Sequence, residues 1–183
     1  ATPISAYAAW SSDSEERRTS ASGGVAAEIY KYALKKGWSI VGASFCEDFK
    51  VRLELADDLD AIKKFKNSKY VFSSTADIFH KIAQKLKEGG KIVVIALPCQ
   101  IAAIRKIFHD KLDDLLLVDL VCHGTMPYEY LKQYIGYIEK SYCKKAVRLT
   151  FRDPAKGTEN FALSLYDEKD VCFYSCASFE DIY

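Results

Sequence analysis

Apolar positions recur along this chain in two rhythms, and their alternation lays out an α/β fold. Two near-continuous apolar runs, residues 92–97 (Ile-Val-Val-Ile-Ala-Leu) and residues 115–121 (Leu-Leu-Leu-Val-Asp-Leu-Val), have the length and branching of strands. Strands that read this way are covered on both faces, as in a parallel sheet with helices above and below. Between them Ile101, Ile104 and Phe108 recur at helical spacing and predict a helix over residues 98–109. Pro98 suits its first turn, where a missing N–H is harmless. The three elements make a βαβ unit with an expected right-handed crossover.

Upstream, residues 4–10 (Ile-Ser-Ala-Tyr-Ala-Ala-Trp) read as a strand. Val25, Ile29 and Ala33, with Tyr32 widening the face, predict a helix over residues 22–36, capped by Ser20 or Ser22 and stopped by Gly37. Residues 38–45 and 51–55 read as strands flanking the polar turn Glu47-Asp48. Residues 59–65 form a short helix, and residues 76–87 a longer one with Ile78, Ile82 and Leu86 along one side. Downstream, Leu131, Tyr134, Ile135 and Ile138 mark the buried face of a helix over residues 127–142. Residues 146–151, 161–166 and 171–174 then read as a β-meander, with Val147, Leu149 and Phe151 alternating with Arg148, Thr150 and Arg152. The expected fold is α/β: a mostly parallel sheet flanked by helices, with an antiparallel β-rich C-terminal part, in a single domain. Residues 178–183 resemble the start of another element, so the sequence reads as a piece of a longer chain.

Composition narrows the function classes. The 183 residues are 49% hydrophobic, enough for one core, and the net charge of +1 comes with no basic stripe. Nucleic acid is therefore a poor partner. No apolar run approaches the roughly 20 residues that span a bilayer, and no secretory signal opens the sequence. The six cysteines do not form the framework of a small secreted domain, which points to a reducing, cytoplasmic setting in which thiols are buried, reactive or metal-bound.

Three segments carry candidate chemistry. Cys99 and Cys122 each follow a predicted parallel strand, so both fall on the ligand-binding rim of the sheet, within reach of one cluster if the strands are neighbours roughly 5 Å apart. A pair of buried thiols is the plain alternative, and an iron–sulfur cluster usually needs four thiolates. Cys172 and Cys176, if on one strand, stand about 13 Å apart and read as structural, as do Cys46 and Cys143. The stretch Thr19-Ser20-Ala21-Ser22-Gly23-Gly24 leads into a helix start, where small residues and free N–H groups suit a pyrophosphate; an ordinary capped helix is the alternative. In Asn67-Ser68-Lys69-Tyr70-Val71, Lys69 offers a cation and Tyr70 a stacking face, or else a solvated lysine beside a core tyrosine. The residues also permit a cysteine hydrolase with Cys99 as nucleophile and His123 as base, although no third orienting residue is evident. A non-catalytic partner-binding scaffold is the other alternative.

Taken together the segments resemble the beta subunit of the coenzyme F420 hydrogenase/dehydrogenase family. Ser20-Ala21-Ser22-Gly23-Gly24-Val25 is similar to its SSSGGV, Ser68-Lys69-Tyr70-Val71-Phe72-Ser73 to SKYVQS, and Leu97-Pro98-Cys99-Gln100-Ile101-Ala102 to TPCQIAGL. Val118-Asp119-Leu120-Val121-Cys122-His123-Gly124 matches VDLVCHG, and Phe151-Arg152-Asp153 opens like FRDK. The resemblance implies a flavoprotein that binds FAD and a 4Fe-4S cluster. It would pass electrons between a redox partner subunit or ferredoxin-like domain and a small-molecule hydride carrier such as the deazaflavin F420. Carried over by block, Ser20, Ser22, Gly23, Gly24, Lys69, Tyr70, Pro98, Gln100 and Gly124 would bind the cofactor. Cys99 and Cys122 would ligate the cluster, and His123, Arg152 and Asp153 would act near flavin or substrate. Three departures stand out: the family's later CxxC is missing, Pro154 follows Asp153 where FRDK continues toward Gly-Trp, and no ferredoxin-like cysteine run precedes the domain.

Overall fold

The computed structural model describes residues 3–157 and 160–177. Its centre is β1 (Ser39–Phe45), in a five-stranded sheet of order β3-β2-β1-β4-β5. A 3₁₀ turn at Glu47–Phe49 reverses the chain into β2 (Val51–Ala56), antiparallel to β1, with Phe45 opposite Val51. β4 (Ile92–Ala96) and β5 (Leu115–Asp119) run parallel to β1, whereas the two-residue β3 (Ser73–Ser74) runs parallel to β2. One rim therefore gathers the carboxyl ends of β1, β4 and β5 with the amino ends of β2 and β3.

Side chains alternate across this sheet, and each face takes two helices. On one face Ala27, Tyr30 and Ala33 of α2 (Val25–Lys35) and Ala61, Ile62 and Phe65 of α3 (Asp60–Phe65) pack on Ile40, Val93 and Ile95. On the other, Ile78, Ile82 and Leu86 of α4 (Ile78–Lys87) and Ile101 and Ile104 of α5 (Pro98–Ile107) pack on Val41, Leu53, Ile92 and Val94. β4 is buried at every position, as the apolar run predicts. β5 is the edge strand instead: among the described residues only β4 pairs with it, and Leu116 is 43% exposed.

The C-terminal part is a separate antiparallel sheet of β6 (Arg148–Thr150), β7 (Ala162–Tyr166) and β8 (Cys172–Ala177). Leu131, Ile135 and Ile138 of α6 (Tyr128–Tyr142) bury against its Leu149, Leu163 and Leu165. Val51 and Val71 from the rim of the first sheet join the same cluster. This apolar joint docks the second sheet beside the rim. Among the described residues no helix is long and apolar enough to cross a membrane.

Several expectations need correction. Residues 4–10 form no strand; Ile4, Tyr7 and Trp10 are exposed, and just beyond them Ser11 N–H donates to Gly23 O at 2.7 Å, at the approach to α2 and not at a sheet edge. An apolar extended segment becomes a strand only where an edge accepts it. The inward face of α2 is shifted from the one expected: Ala33 is buried and Ile29 packs on the core as predicted, but Val25 and Tyr32 are exposed while Tyr30 is buried. The cause is Gly42. A Cβ there would stand 2.5 Å from Tyr30 Oη and 2.6 Å from Phe65 Cγ, so the missing side chain makes the berth for both rings. Tyr30 Oη then donates to Val41 O at 3.0 Å. Neither Ser20 nor Ser22 caps α2; its N-cap is Gly24, with φ 78° and no side-chain bond. A short helix that sequence reading omitted, α1 (Ser14–Arg18), precedes it. The stretch 178–183 lies outside the described residues.

Candidate functional site

A cavity of about 350 Å³ opens at the rim where the strand ends gather. One wall is the approach to α2, with Ser20, Ser22, Gly23 and Gly24; another is Lys66, Asn67, Ser68 and Lys69. Leu97, Gln100 and Leu120 close a third side, and Ala43, Val51, Leu53 and Ile95 give an apolar interior. Three segments distant in sequence thus share one pocket because the topology brings their strand ends to one edge.

Polar bonds fix the two facing walls to each other. Asn67 has φ 69°, a left-handed conformation that asparagine tolerates better than most side chains. Its Oδ1 accepts from Ala21 N at 2.8 Å, and its Nδ2 donates to Thr19 O at 3.2 Å. Beside it, Glu16 of α1 accepts from Lys66 Nζ at 2.5 Å and from Ser20 Oγ at 3.2 Å. Burial pushes the Glu16 carboxyl up, but the bonds from Lys66 and Lys31 outweigh it and hold the group below its ordinary value. Gln100 is 7% exposed: its Nε2 donates to Ser73 Oγ at 2.8 Å and Ser73 O at 3.2 Å, and its Oε1 accepts from Leu97 N. The roles of Asn67 and Glu16 went unread in the sequence. For Glu16 the signal was there, since Asp13 followed by Glu16 is the spacing of a helix N-terminus, and Asp13 Oδ1 does accept from Glu15 and Glu16 N–H.

Lys69 is the chemically distinctive group. Its amine donates to the carbonyls of Lys66 at 3.1 Å, Asn67 at 3.3 Å and Phe65 at 3.4 Å, and it stands 5.6 Å from the Phe45 ring centroid. Carbonyl dipoles replace only part of the lost hydration, so burial lowers its pKa to about 8. At the opposite wall Val25, Ala26 and Ala27, the first turn of α2, line the cavity, and no side chain caps that turn. Its N–H groups are therefore available to an anion.

The remaining predicted residues lie outside this lining. Pro98 and Cys99 open α5, and Cys122, His123 and Gly124 follow β5; both cysteines are exposed. β4 and β5 are parallel neighbours, so the two thiols do follow adjacent strand ends. Gly124, at φ 108°, turns the loop so that its N–H donates to Cys122 Sγ at 3.4 Å. No hydrogen bond joins Cys99 to His123 among the described residues. The loop continues to Met126, which bridges to Val71 across the rim. Tyr70 packs edge-on to Phe151 at 5.4 Å between ring centroids. The Arg152 guanidinium stacks 4.1 Å from the Phe161 ring centroid. Asp153 is only 3% exposed, accepting from Tyr166 Oη and from Ala155 N at 3.0 Å. Burial raises its carboxyl pKa, yet these bonds more than reverse that and leave it lowered; burial and the same carboxylate raise Tyr166 to about 12. Cys46 lies by the β1–β2 turn, Cys143 at the end of α6, and Cys172 and Cys176 on β8; all six cysteines are free.

Comparison with known proteins bears on this arrangement. A family profile described as coenzyme F420 hydrogenase/dehydrogenase, beta subunit N-term, matches residues 6–80, and the companion profile for the C terminus of the same beta subunit matches residues 89–179. The chain belongs to this family. Its fold is similar to a chain of the F420-reducing [NiFe] hydrogenase complex from Methanosarcina barkeri, with a TM-score of 0.63 and 20% identity, over 92% of this chain and 58% of that one. The chain thus spans little more than half the length of that relative, and at this identity the likeness concerns the fold. No curated protein matches. Four of the five family-like blocks contribute to the cavity lining, the fourth only through Leu120, and the block at residues 151–153 does not.

Proposed function

We propose that the rim cavity binds FAD and that the chain passes electrons between a redox partner subunit and a small-molecule hydride carrier of the deazaflavin kind. What carries this reading is the meeting of residues 20–24, residues 66–69 and Leu97 with Gln100 in one cavity. When bound there, a flavin takes up a hydride as one two-electron step and gives electrons up singly. The chain's own residues bind and orient it. The uncapped first turn of α2 and the side-chain-free Gly23 and Gly24 accept the phosphates. The apolar interior excludes water, and Gln100 and Asn67 hold the walls at a fixed separation. The Lys69 cation stands where it would stabilise negative charge on the bound ring system.

The 4Fe-4S cluster is a different matter. Among the described residues no group of three or more Cys, His, Asp or Glu side chains converges, and Cys99 and Cys122 supply two of the four thiolates a cluster needs. The residues present do not fit a complete cluster.

An anaerobic absorbance titration with FAD tests the reading. Bound-flavin bands that shift on uptake, with about one FAD per chain, are expected. Absence of uptake by the full-length protein as well as by this chain would refute it.

A further inference from the structure

A second cavity, of about 240 Å³, shares the wall of residues 66–69 with the rim cavity. Phe45, Phe151 and Leu149 give it apolar sides. Its charged lining is of one sign: Lys63, Lys64, Lys66, Lys69 and Arg148, with no Asp or Glu among the described residues. The chain holds 26 basic and 25 acidic residues, so a five-to-none lining is not its average surface. Nor are these only solvated lysines. The Lys66 side chain is 14% exposed and already pairs with Glu16 at 2.5 Å, and Lys69 is held inward by three carbonyls with no carboxylate beside it among the described residues. Two of the others form exposed pairs. Lys63 with Asp60 is exposed and weak enough for the lysine to turn to a ligand, whereas Arg148 holds Asp170 through two nitrogens at 2.6 and 2.7 Å and stacks 3.5 Å from the Tyr166 ring centroid, so a ligand would have to compete with the exposed Asp170 carboxylate for it.

We infer that this groove is an oxyanion site for a phosphate-bearing group. Lysine ammonium groups act as point charges on phosphate, and the Arg148 fork adds a planar, two-bond contact. Lys69 lines both cavities, so the groove's occupant would meet the rim cavity's occupant at that amine. The oxyanion belongs either to a second molecule brought to the cofactor or to the cofactor itself, whose phosphates would then lie here and not at the α2 turn; only that choice rests on the flavin reading.

Calorimetric titration of inorganic pyrophosphate into the chain at low ionic strength tests the groove without any flavin. One site is expected, with affinity at least about tenfold lower in the Lys64→Gln/Arg148→Gln double variant, since at least one charge-assisted contact is lost. The urea midpoint of that variant confirms that it is folded. Absent binding, or equal binding by both proteins, overturns the inference. Riboflavin and FAD titrations then identify the owner. A preference for FAD that collapses in the double variant assigns the groove to the cofactor's phosphates. Pyrophosphate bound alongside FAD, with FAD affinity unchanged in the variant, assigns it to a second molecule. Charge-dependent pyrophosphate binding without any flavin uptake keeps the groove and discards the flavin reading.

Discussion

The amine of Lys69 should make folding stability depend on alkaline pH in a way that one substitution removes. Its pKa is lowered from 10.5 to about 8, because burial disfavours the charged form. Between those two values the unfolded chain binds more protons than the folded one, so stability rises with pH. The full difference is worth about 3 kcal/mol, of which about 2 kcal/mol falls between about pH 7 and about pH 9.5. Urea unfolding at these two pH values, on wild type and on Lys69→Met, isolates the term. Other titrating groups are common to both proteins and cancel in the comparison. Wild type should gain about 2 kcal/mol more than the variant on going to the higher pH. The absolute stability of the variant is not the readout, since methionine also strands the carbonyls of Phe65, Lys66 and Asn67. Parallel pH dependences would refute the argument and place the amine in water. An anion bound beside Lys69 favours the ammonium form, so saturating pyrophosphate or FAD should shrink the wild-type slope.

Further measurements probe the framework around the site. Gly42→Ala forces a methyl against Tyr30 and Phe65 and should cost about 1–3 kcal/mol in urea unfolding, whereas Gly136→Ala, which meets nothing within 4 Å in α6, should stabilise by up to about 1 kcal/mol. Gln100→Leu strands the Leu97 N–H and both Ser73 oxygens, so a loss of about 1–3 kcal/mol is expected by thermal unfolding, together with weaker FAD uptake. Asn67→Gly keeps the left-handed backbone but deletes both bonds to residues 19–21; FAD affinity should fall severalfold in the absorbance titration while β4 amide protection against hydrogen exchange is retained. Asp153, whose folded pKa is lowered, contributes stability above its ordinary value of 3.8 and loses it as pH falls through the folded value; Asp153→Asn should flatten that part of the acid unfolding curve.

Periodicity alone determined most of the architecture, because burial of β4 and the inward faces of α4, α5 and α6 are local consequences of spacing. Ile78, Ile82 and Leu86, or Ile101, Ile104 and Phe108, can be buried only if their helices lie flat on a sheet. The same logic failed where a neighbour decides. The apolar residues 4–10 found no strand edge, β5 proved to be an edge strand, and α2 rotated to seat Tyr30 over Gly42. The motifs carrying Ser22, Gly23, Gly24, Lys69 and Gln100 were legible as separate blocks, and the tertiary structure set them around one cavity by running β2 and β3 opposite to β1. It also separated what sequence order suggested was joined: Asp153 is buried against Tyr166, away from the cavity lining, and the cysteines of β8 lie in the second sheet, whereas Cys99 and Cys122 follow strands of the first. Spacing reports which residues are inside, but the state of the Lys69 amine follows from three carbonyls and one ring that only the folded chain brings together.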